Sequence, residues 1–400
     1  MIHNFKVENF YSINELQELS FTSTKKYSDS CIAYDNFYVN NVNCFVGANA
    51  SGKTNIFRAL SFFIWFAENS FYQMSENITR LFSSHKLREK DLTKFEIVFD
   101  MNNRLYKYSI AMTPTKLVHE QLEIKSQKGF SYLYKLENKN NVINIKYNRN
   151  NVILPKINSK EESRFKTKKM STFFSFLLGV GYLDDLGLTG ITKGGFRNVY
   201  NVGLVNLDAG QESIILSQKL EKSKIKSEIL SYLKCFDFGI EDYVNNKFKA
   251  RIKNDTIINL IGFKHSNNHM TFNLPILEES SGTIKGLYLL LNLLEVLSKG
   301  GVAIVDELDA SLHYDIAKKL ISLFANKDTN KKNSQLFFST HQPLFLNDRD
   351  KTQIFLCYKE DYLNTEIYRL DEVEGIRNTE NFFEKYLSGE YGAIPRLGKC

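Results

Sequence analysis

The sequence lacks an apolar run long enough to cross a membrane. Its longest runs, Ala59–Phe66 and Gly286–Leu297, contain Ser or Asn or stop short of the ~18 residues that a membrane-spanning helix requires. The first ten residues, MIHNFKVENF, also lack the basic and apolar regions of a signal peptide. We therefore expect a soluble, cytoplasmic protein without a membrane partner.

Cysteine is scarce, and its spacing excludes the usual cysteine-based architectures. The five cysteines contain no C-x-x-C pair, which argues against a zinc site and against a disulfide framework. His265 and His269 are four residues apart, but no carboxylate–histidine constellation accompanies them, so a metal site there is not expected.

Positive charge is only slightly in excess of negative charge. The formal net charge of +7 permits contact with nucleic acid but does not require it, because phosphate binding needs clustered charge. The basic run Arg164–Lys169 contains an aromatic residue and has two interpretations, a nucleic-acid contact or a solvated charged loop. Hydrophobic residues make up 43% of the chain, enough for a sizeable core.

Both ends of the chain carry patterns of an α/β fold. Apolar alternation predicts a strand at Ile2–Phe10, and a short apolar stretch predicts another at Val42–Val46. A helix rich in Phe and Leu follows at Asn55–Asn69. Alternation at Lys94–Asp100 and Leu105–Met112 predicts an antiparallel pair beside this core.

The middle of the chain has a different composition. Residues 125–158 are rich in Asn, Lys and Tyr, and we expect short strands separated by polar turns, such as Glu137–Asn141, in what we interpret as a boundary region. Residues 161–236 have helical periodicity and are interpreted as an inserted helical subdomain. Strands return around Phe248–Phe272, followed by a helix at Thr283–Lys299 and a strand at Val302–Val305. The predicted division of the chain is an amino-terminal lobe at 1–125, an insertion at 126–250 and a carboxy-terminal lobe at 251–400.

The strongest motif is the octapeptide GANASGKT at residues 47–54, which we call the phosphate loop. It matches G-x-x-x-x-G-K-T between a predicted strand and a predicted helix, where backbone N–H groups and the helix amino terminus favour phosphate. Lys53 is expected to reach the β- and γ-phosphates, and the Thr54 hydroxyl to ligate Mg²⁺. The expected nucleotide contacts from this segment are Gly47, Asn49, Gly52, Lys53, Thr54 and Asn55.

Two carboxylates end the apolar strand Val302–Val305. Asp306 is expected to contact the nucleotide's Mg²⁺, directly or through water, and Glu307 to act as general base towards the attacking water. The separation between Lys53 and Asp306 is too long for a compact small GTPase-like domain, so a large segment must be inserted between them.

Three further segments follow in an informative order. The segment Glu278–Thr283, EESSGT, places a Ser-Gly pair at a helix start, where a hydroxyl and exposed N–H groups form an anion site; a plain helix cap is the alternative interpretation. We call it the signature-like loop. LDASLH at 308–313 follows the acidic pair, and the apolar stretch QLFFST ends at His341.

These elements, in this chain order, resemble ABC-like ATPases of the group that includes RecF, chromosome-maintenance heads and OLD-type proteins. The resemblance is closer to RloA-like and AbiL-like bacterial phage-defence ATPases, and it rests on the stretches FKVENFYSI, GANASGKTNIFRAL, LEESSGTIKGL, IVDELDASLH and YLSGEYGAIPRL. It implies a two-lobed α/β head, a P-loop NTPase fold, with an antiparallel β element and an inserted helical subdomain.

The resemblance also implies a function. ATP and Mg²⁺ are the implied ligands, and His341 corresponds to the histidine that senses the γ-phosphate. Ser281 and Gly282 would close over ATP bound to a second copy in a head-to-tail dimer or higher oligomer. The implied role is that of a sensor or scaffold in phage defence with a separate, nuclease-like effector. The alternatives are a RecF-like DNA-repair ATPase that binds DNA directly, and a pseudo-ATPase, against which the intact Lys53, Asp306 and Glu307 argue.

Some features have weaker interpretations. The glutamine loop of ABC heads is not assignable, and Gln121 is only a weak candidate. His313 is a second histidine close to the acidic strand. Asp184 and Asp185 lack a companion histidine, so we expect no nuclease activity in this chain. The insertion and residues 386–397 are candidate docking sites for an effector.

Overall fold

The computed structural model describes residues 1–27, 29–72, 81–101, 103–148, 157–168, 170–180, 199–202, 209–223, 225–236, 238–251, 257–266, 269–360, 363–377 and 379–395. The strands are β1 Ile2–Glu8, β2 Gln17–Ser20, β3 Thr22–Ser23, β4 Cys31–Ala33, β5 Tyr38–Asn40, β6 Val42–Val46, β7 Thr93–Met101, β8 Arg104–Thr113, β9 Lys116–Ser126, β10 Gly129–Lys139, β11 Val142–Tyr147, β12 Val199–Val202, β13 Ile240–Arg251, β14 Ile257–Ser266, β15 Thr271–Pro275, β16 Val302–Val305, β17 Gln335–Thr340, β18 Ile354–Glu360 and β19 Asn364–Arg369. The α-helices are α1 Lys53–Asn69, α2 Ser159–Lys166, α3 Phe173–Gly179, α4 Ala209–Lys222, α5 Lys226–Cys235, α6 Ser281–Lys299, α7 Tyr314–Ala325 and α8 Phe382–Leu387.

Two large sheets organise the chain. One has seven strands in the order β11-β10-β9-β8-β7-β1-β2, all paired antiparallel, and the other has six strands in the order β12-β16-β17-β6-β18-β19. In the six-stranded sheet every pair is parallel except β18–β19. Two small three-stranded sheets, β13-β14-β15 and β3-β5-β4, complete the set.

The six-stranded sheet lies between two hydrophobic cores. Alternate residues of β17 belong to different cores, with Phe337 in the first and Phe338 in the second. The first core joins this face to α1 and the seven-stranded sheet, and the second joins the opposite face to α6 and α7. Burial on both faces explains why β6, β16 and β17 are apolar runs rather than alternating ones.

The parallel pairing of β16, β17 and β6 decides where the motifs meet. The carboxyl ends of parallel strands lie at one edge of a sheet, which is where such sheets bind ligands. The phosphate loop follows β6, Asp306 follows β16 and His341 follows β17, so this topology brings the three segments together.

The helices predicted at Asn55–Asn69 and Thr283–Lys299 are correct in position, but each begins two residues earlier than expected. Helix α1 begins at Lys53, after Gly52 in a left-handed conformation, and ends at Asn69 as predicted. Helix α6 begins at Ser281, because the Ser280 side chain accepts a hydrogen bond from the N–H of Thr283 and so caps the helix one residue ahead of Ser281.

The segment interpreted as a boundary region is part of the seven-stranded sheet. Strands β10 and β11 continue the antiparallel ladder of β9 through a two-residue turn at Asn140 and Asn141. Both turn residues have positive φ, 51° and 64°, the geometry of a type I′ hairpin turn that Asn tolerates. The polar composition therefore marks hairpin turns and an exposed sheet edge.

The predicted helical subdomain does not pack as a single unit within the described residues. Helices α2 and α3 place Phe165 and Phe173 in the first core, whereas α4 and α5 place Leu216 and Leu233 in the second. The physical reason is that short helices bury their apolar stripes best against an existing sheet or helix. The division of the chain at residues 125 and 250 stays a prediction.

A search of the described helices for one both long and apolar enough to cross a membrane found none.

Candidate functional site

The phosphate loop is shaped by contacts with distant parts of the chain. Gly52 has a φ of 105°, a conformation that side chains other than glycine rarely adopt. A Cβ added to it would lie 2.0 Å from the Thr365 hydroxyl oxygen, so no larger residue fits. That hydroxyl donates to the carbonyl of Ser51 at 3.1 Å, which holds the loop from the side of β19.

Lys53 lies across the phosphate loop. Its buried ammonium group donates to the carbonyl oxygens of Gly47 and Ala48 at 2.7 and 2.9 Å. Burial lowers the pKa of Lys53, an effect that the nearby carboxylates of Asp306 and Glu307 oppose. The positive charge is therefore held inside the loop, where incoming phosphate oxygens are the natural additional partners.

Thr54 and Asp306 are in direct contact, although 252 positions separate them. The Thr54 hydroxyl donates to Asp306 Oδ2 at 2.7 Å, and the Ser339 hydroxyl donates to Asp306 Oδ1 at 2.5 Å. The same Ser339 oxygen accepts from the N–H of Glu307 at 2.8 Å. One serine on β17 thus fixes both residues of the acidic pair.

These groups fit Mg²⁺ and a polyphosphate. A hydroxyl and a carboxylate side by side are the hard oxygen ligands that Mg²⁺ takes up with substrate phosphates. Within the loop, the buried Ser51 hydroxyl has no hydrogen-bond partner among the described residues. An unpaired buried hydroxyl is costly, and a bound phosphate oxygen would satisfy it.

Glu307 and His341 face each other at the mouth of the site. The His341 Nε2 and Glu307 Oε1 atoms are 3.6 Å apart, with 38% and 56% of the respective side chains exposed. Glu307 has a positive φ of 48°, and such strained backbone is concentrated at functional sites. Both side chains are accessible to water, as a general base and a phosphate sensor must be.

One cleft of about 610 Å³, which we call the phosphate cleft, collects almost the whole predicted set. Its volume is in the range of small-molecule sites. The predicted residues that line it are Asn49, Gly52, Lys53, Thr54, Asn55, Asp306, Glu307 and His341. Gly47 lines an adjoining cleft, and its carbonyl accepts a hydrogen bond from Lys53.

Asn55 connects the phosphate cleft to the amino-terminal segment. Its amide donates to the Ser12 hydroxyl at 2.7 Å, and Ser12 is in turn 2.7 Å from the Thr365 hydroxyl. Asn55, Ser12 and Thr365 therefore form a continuous polar chain that ends at Ser51. This network fixes the start of α1 relative to β19.

The signature-like loop lies in a different cleft. A volume of about 310 Å³, which we call the signature cleft, is lined by Ser280, Gly282 and Thr283 from one side and by Ser311, Leu312 and His313 from the other. Ser280 is the helix cap, and Ser281 is exposed at the first position of α6. The structure thus separates Ser281 and Gly282 from the phosphate loop of their own chain.

Residues after the acidic pair form the second wall of the signature cleft. Ser311 has a positive φ of 64°, and its carbonyl oxygen lies 2.9 Å from where a Cβ on Gly282 would be. His313 caps α7, because its Nδ1 accepts from the N–H of Asp315 at 3.3 Å. The segment 308–313 therefore connects the acidic strand to the signature-like loop.

Several weaker candidates have structural explanations. Gln121 lies in the middle of β9, paired with β8 and β10, and lines neither cleft. His265 is paired with Glu279, at 2.7 Å between Nε2 and Oε1, beside the signature-like loop. Asp184 and Asp185 lie outside the described residues, as do 396 and 397 of the candidate docking segment 386–397.

The basic run Arg164–Lys169 is largely occupied by its own surroundings. Lys166 pairs with Glu162 at 2.6 Å, and the ammonium of Lys168 donates to the carbonyl of Phe71 at 2.5 Å. Arg164 stacks over the Phe71 ring. These contacts favour the interpretation as a charged surface segment, while Lys169 lies outside the described residues.

Four site residues had no signal strong enough to select them from the sequence. Ser339 is in β17, two positions before His341, which directly follows the strand, and this spacing is the one clue, since alternate positions of an extended chain share a face. Ser12, Lys359 and Thr365 reach the loop only through tertiary packing of β1 and the β18–β19 hairpin.

Comparisons with known proteins agree with this arrangement. A solved structure described as "Crystal structure of the SmcHead bound to the C-winged helix domain of ScpA" has a similar fold, with a TM-score of 0.50, 14% identity, and coverage of 94% of this chain and 99% of that one. The expected ABC-like head fold is thereby confirmed. An SMC head domain from Thermotoga maritima gives a TM-score of 0.43 at 14% identity, covering 92% and 98% of the two chains.

The sequence comparisons assign the family. No curated protein sequence matches the chain. One family model, described as "AAA domain, putative AbiEii toxin, Type IV TA system", matches residues 42–172 and 198–347. These two ranges contain the phosphate loop, the signature-like loop, the acidic pair and His341, and they cover more than half of the sequence. The chain therefore belongs to this family of AAA domains.

Proposed function

We propose that this protein binds and hydrolyses ATP in the phosphate cleft. The observation that carries the proposal is the direct contact between Thr54 and Asp306, at 2.7 Å, beside the buried ammonium of Lys53. Segments far apart in the sequence converge on one point and place hard oxygen ligands next to a loop built for phosphate. No other pair of described motifs is arranged in this way.

Each residue has a defined role in this proposal. The N–H groups of the loop and Lys53 hold the β- and γ-phosphates, and Thr54 and Asp306 hold Mg²⁺, which neutralises phosphate charge when bound. Glu307 accepts the proton of the attacking water. His341, on the same side, donates a hydrogen bond to the terminal phosphate, and Ser339 keeps Asp306 and Glu307 in place.

We further propose that the site is completed by a second copy of the chain. Ser281 and Gly282 lie at the start of α6, where Gly282 lines a cleft that shares no residue with the phosphate cleft, so we place them over ATP bound to another copy of the chain. A helix amino terminus with exposed N–H groups is an anion site. In a symmetric head-to-tail dimer, each signature-like loop would cover the γ-phosphate held by the other copy.

For the biological role, we propose ATP-driven assembly as a sensor or scaffold in defence against phage, acting with a separate effector. Support comes from the family description, which names a putative AbiEii toxin and a type IV toxin–antitoxin system, and from the resemblance to RloA-like and AbiL-like proteins. Co-purification with the products of adjacent genes, with and without ATP, tests this role. Retention of DNA by the isolated protein without any partner would favour the DNA-repair alternative.

The ATPase proposal is tested with two substitutions that should have different defects. Lys53→Ala removes the charge that holds the phosphates and should weaken ATP binding by about 100-fold or more, since a charge-assisted contact to a doubly anionic group is lost. Glu307→Gln should retain binding and lower kcat by roughly 10²- to 10⁴-fold, the range for loss of a general base.

Equilibrium ATP binding and steady-state phosphate release measure the two defects separately. Lys146→Ala is a matched control, because it removes an exposed lysine from β11, the edge strand of the seven-stranded sheet, whereas the strands that lead to the phosphate cleft belong to the six-stranded sheet. Hydrolysis by Glu307→Gln at the wild-type rate would contradict its role as general base. Absence of ATP binding in the unaltered protein would contradict the proposed function itself.

A further inference from the structure

Lys359 is a cation of the phosphate cleft that no motif assigns. It lies near the carboxyl end of β18, the strand that pairs in parallel with β6, where Leu356 is opposite Val46. The phosphate loop begins directly after Val46. Lys359 lines the phosphate cleft and also an adjoining cleft, which shares His341 and residues 49–51 with the first. Among the described residues that line the phosphate cleft, Lys53 and Lys359 are the cations.

The ammonium groups of Lys53 and Lys359 differ in the partners that they already have within the chain. The ammonium of Lys53 donates to two loop carbonyls, at 2.7 and 2.9 Å. Lys359 is half-buried, and within the described part of the chain no carboxylate lies within ion-pair distance of it. A partly desolvated ammonium carries three donors, and an anion is the partner that best offsets its burial.

The position of Lys359 is fixed by the strand beside it. Lys359 is the cross-strand partner of Thr365, whose buried hydroxyl donates to the Ser51 carbonyl and contacts Ser12. The backbone N–H of Thr365 donates to the Ser12 carbonyl at 2.8 Å. The β18–β19 hairpin is thus joined to the phosphate loop, so Lys359 has a defined place relative to any bound phosphate.

In the sheet order, three strand spacings separate Lys359 on β18 from the acidic pair after β16. Asp306 and Glu307 follow β16 and His341 follows β17, which lie on one side of β6, whereas Lys359 is on β18, on the opposite side. Hydrolysis requires the terminal phosphate to face Glu307 and His341. The opposite side of the loop is then left for the phosphates that ADP retains.

We propose that Lys359 binds the α- and β-phosphates of the nucleoside triphosphate, as a second cation that holds ATP and ADP equally. The inference rests on the proposed ATP site and names a further binding residue of it. Lys359 takes no part in the reaction at the terminal phosphate, so its charge affects nucleotide affinity and leaves the hydrolytic step unchanged.

The test compares Lys359→Gln with Lys359→Arg and with the matched control Lys146→Gln, which removes one exposed lysine charge from β11. Dissociation constants for ATP and for ADP are measured by calorimetry in the presence of Mg²⁺, together with kcat at saturating ATP. We expect Lys359→Gln to raise both dissociation constants by roughly tenfold, as expected when one charge-assisted contact is lost. The ATP-to-ADP ratio and kcat should stay unchanged, and both Lys359→Arg and the control should bind nearly as the unaltered protein does.

Three results would overturn the inference. Unchanged dissociation constants in Lys359→Gln would show that Lys359 does not contact nucleotide. Weakened ATP binding with unchanged ADP binding would place the lysine on the terminal phosphate instead. Equal losses in the Gln and Arg variants, with a lowered melting temperature, would show a structural role. If the unaltered protein binds neither nucleotide, the proposed ATP site fails as well, which distinguishes the two failures.

Discussion

The phosphate cleft and the signature cleft differ in how completely one chain builds them. The first is about 610 Å³ and the second about 310 Å³. In the phosphate cleft, Thr54, Asp306 and Ser339 are already hydrogen-bonded to one another. In the signature cleft, Ser280 is used as a helix cap, and Ser281 remains exposed. One chain thus has a preorganised phosphate cleft, whereas its signature cleft remains open. This difference favours an ATP site that a second copy of the chain completes.

The two glycines of these clefts should give the largest contrast. Gly52 has positive φ and a closest Cβ approach of 2.0 Å, whereas Gly282 has an approach of 2.9 Å. Gly52→Ala should abolish ATP binding and lower the free energy of unfolding by about 3 kcal/mol, through backbone strain and a clash. Gly282→Ala should cost only about 1 kcal/mol and should preserve ATP binding while it lowers hydrolysis.

Urea unfolding and equilibrium ATP binding check the pair. Equal loss of ATP binding in both variants would contradict the distinction between the phosphate cleft, which binds ATP, and the signature cleft, which covers it. Thr365→Ser in the Gly52→Ala background removes the methyl group 2.5 Å from the added Cβ but keeps the hydroxyl oxygen at 2.0 Å, so it should not restore ATP binding.

An intermediate effect is expected at Ser339. Its hydroxyl donates to Asp306 and accepts from the backbone of Glu307. Ser339→Ala should raise the Mg²⁺ concentration needed for half-maximal ATP hydrolysis by roughly tenfold or more. Loss of a group that orients a metal ligand has an effect of about this size. A Mg²⁺ titration of the hydrolysis rate measures this. The control is Ser334→Ala, which removes a buried hydroxyl just before β17, at the opposite end of that strand from Ser339.

The smallest expected effect is a pH dependence of ATP affinity. Burial lowers the pKa of Lys53 below its ordinary value of 10.5, and contact with phosphate should raise it again. Binding of ATP then takes up a proton. The affinity is therefore highest at pH values below the pKa of Lys53 in the unliganded protein, and it falls as pH rises through that pKa. Calorimetry in buffers of different ionisation enthalpy measures the uptake. A constant affinity as pH rises to 10.5, the ordinary lysine value, would contradict a lowered pKa of Lys53 in the free protein.

The sequence predicts the phosphate cleft better than the rest because its determinants are local. Residues 47–54 and Val302–Glu307 each carry their own strand, turn and side-chain chemistry, and the structure brings Thr54 and Asp306 into contact. The structure adds the parallel pairing of β6, β16 and β17, which places their carboxyl ends at one edge.

What the sequence does not predict depends on long-range packing. Thr365 contacts Ser51 across 314 positions, and nothing near Thr365 indicates that contact. The helices of residues 161–236 have helical periodicity, but periodicity does not reveal which core a helix joins; α3 and α4 join different ones. Likewise, the sequence predicts short strands and Asn-rich turns after Lys125, but it does not reveal that these strands join the amino-terminal ones in a single sheet.

The central claim, that the signature-like loop of one copy completes the phosphate cleft of another, is tested most directly by mixing two inactive chains. Lys53→Ala disables the phosphate cleft and Ser281→Arg disables the covering surface, so each chain alone should lack activity. In an equimolar mixture, half of the dimers should be mixed and each should contain one intact composite site, which predicts roughly a quarter of the unaltered hydrolysis rate if subunits exchange freely. No recovery of activity in a mixture whose subunit exchange is verified would contradict the account.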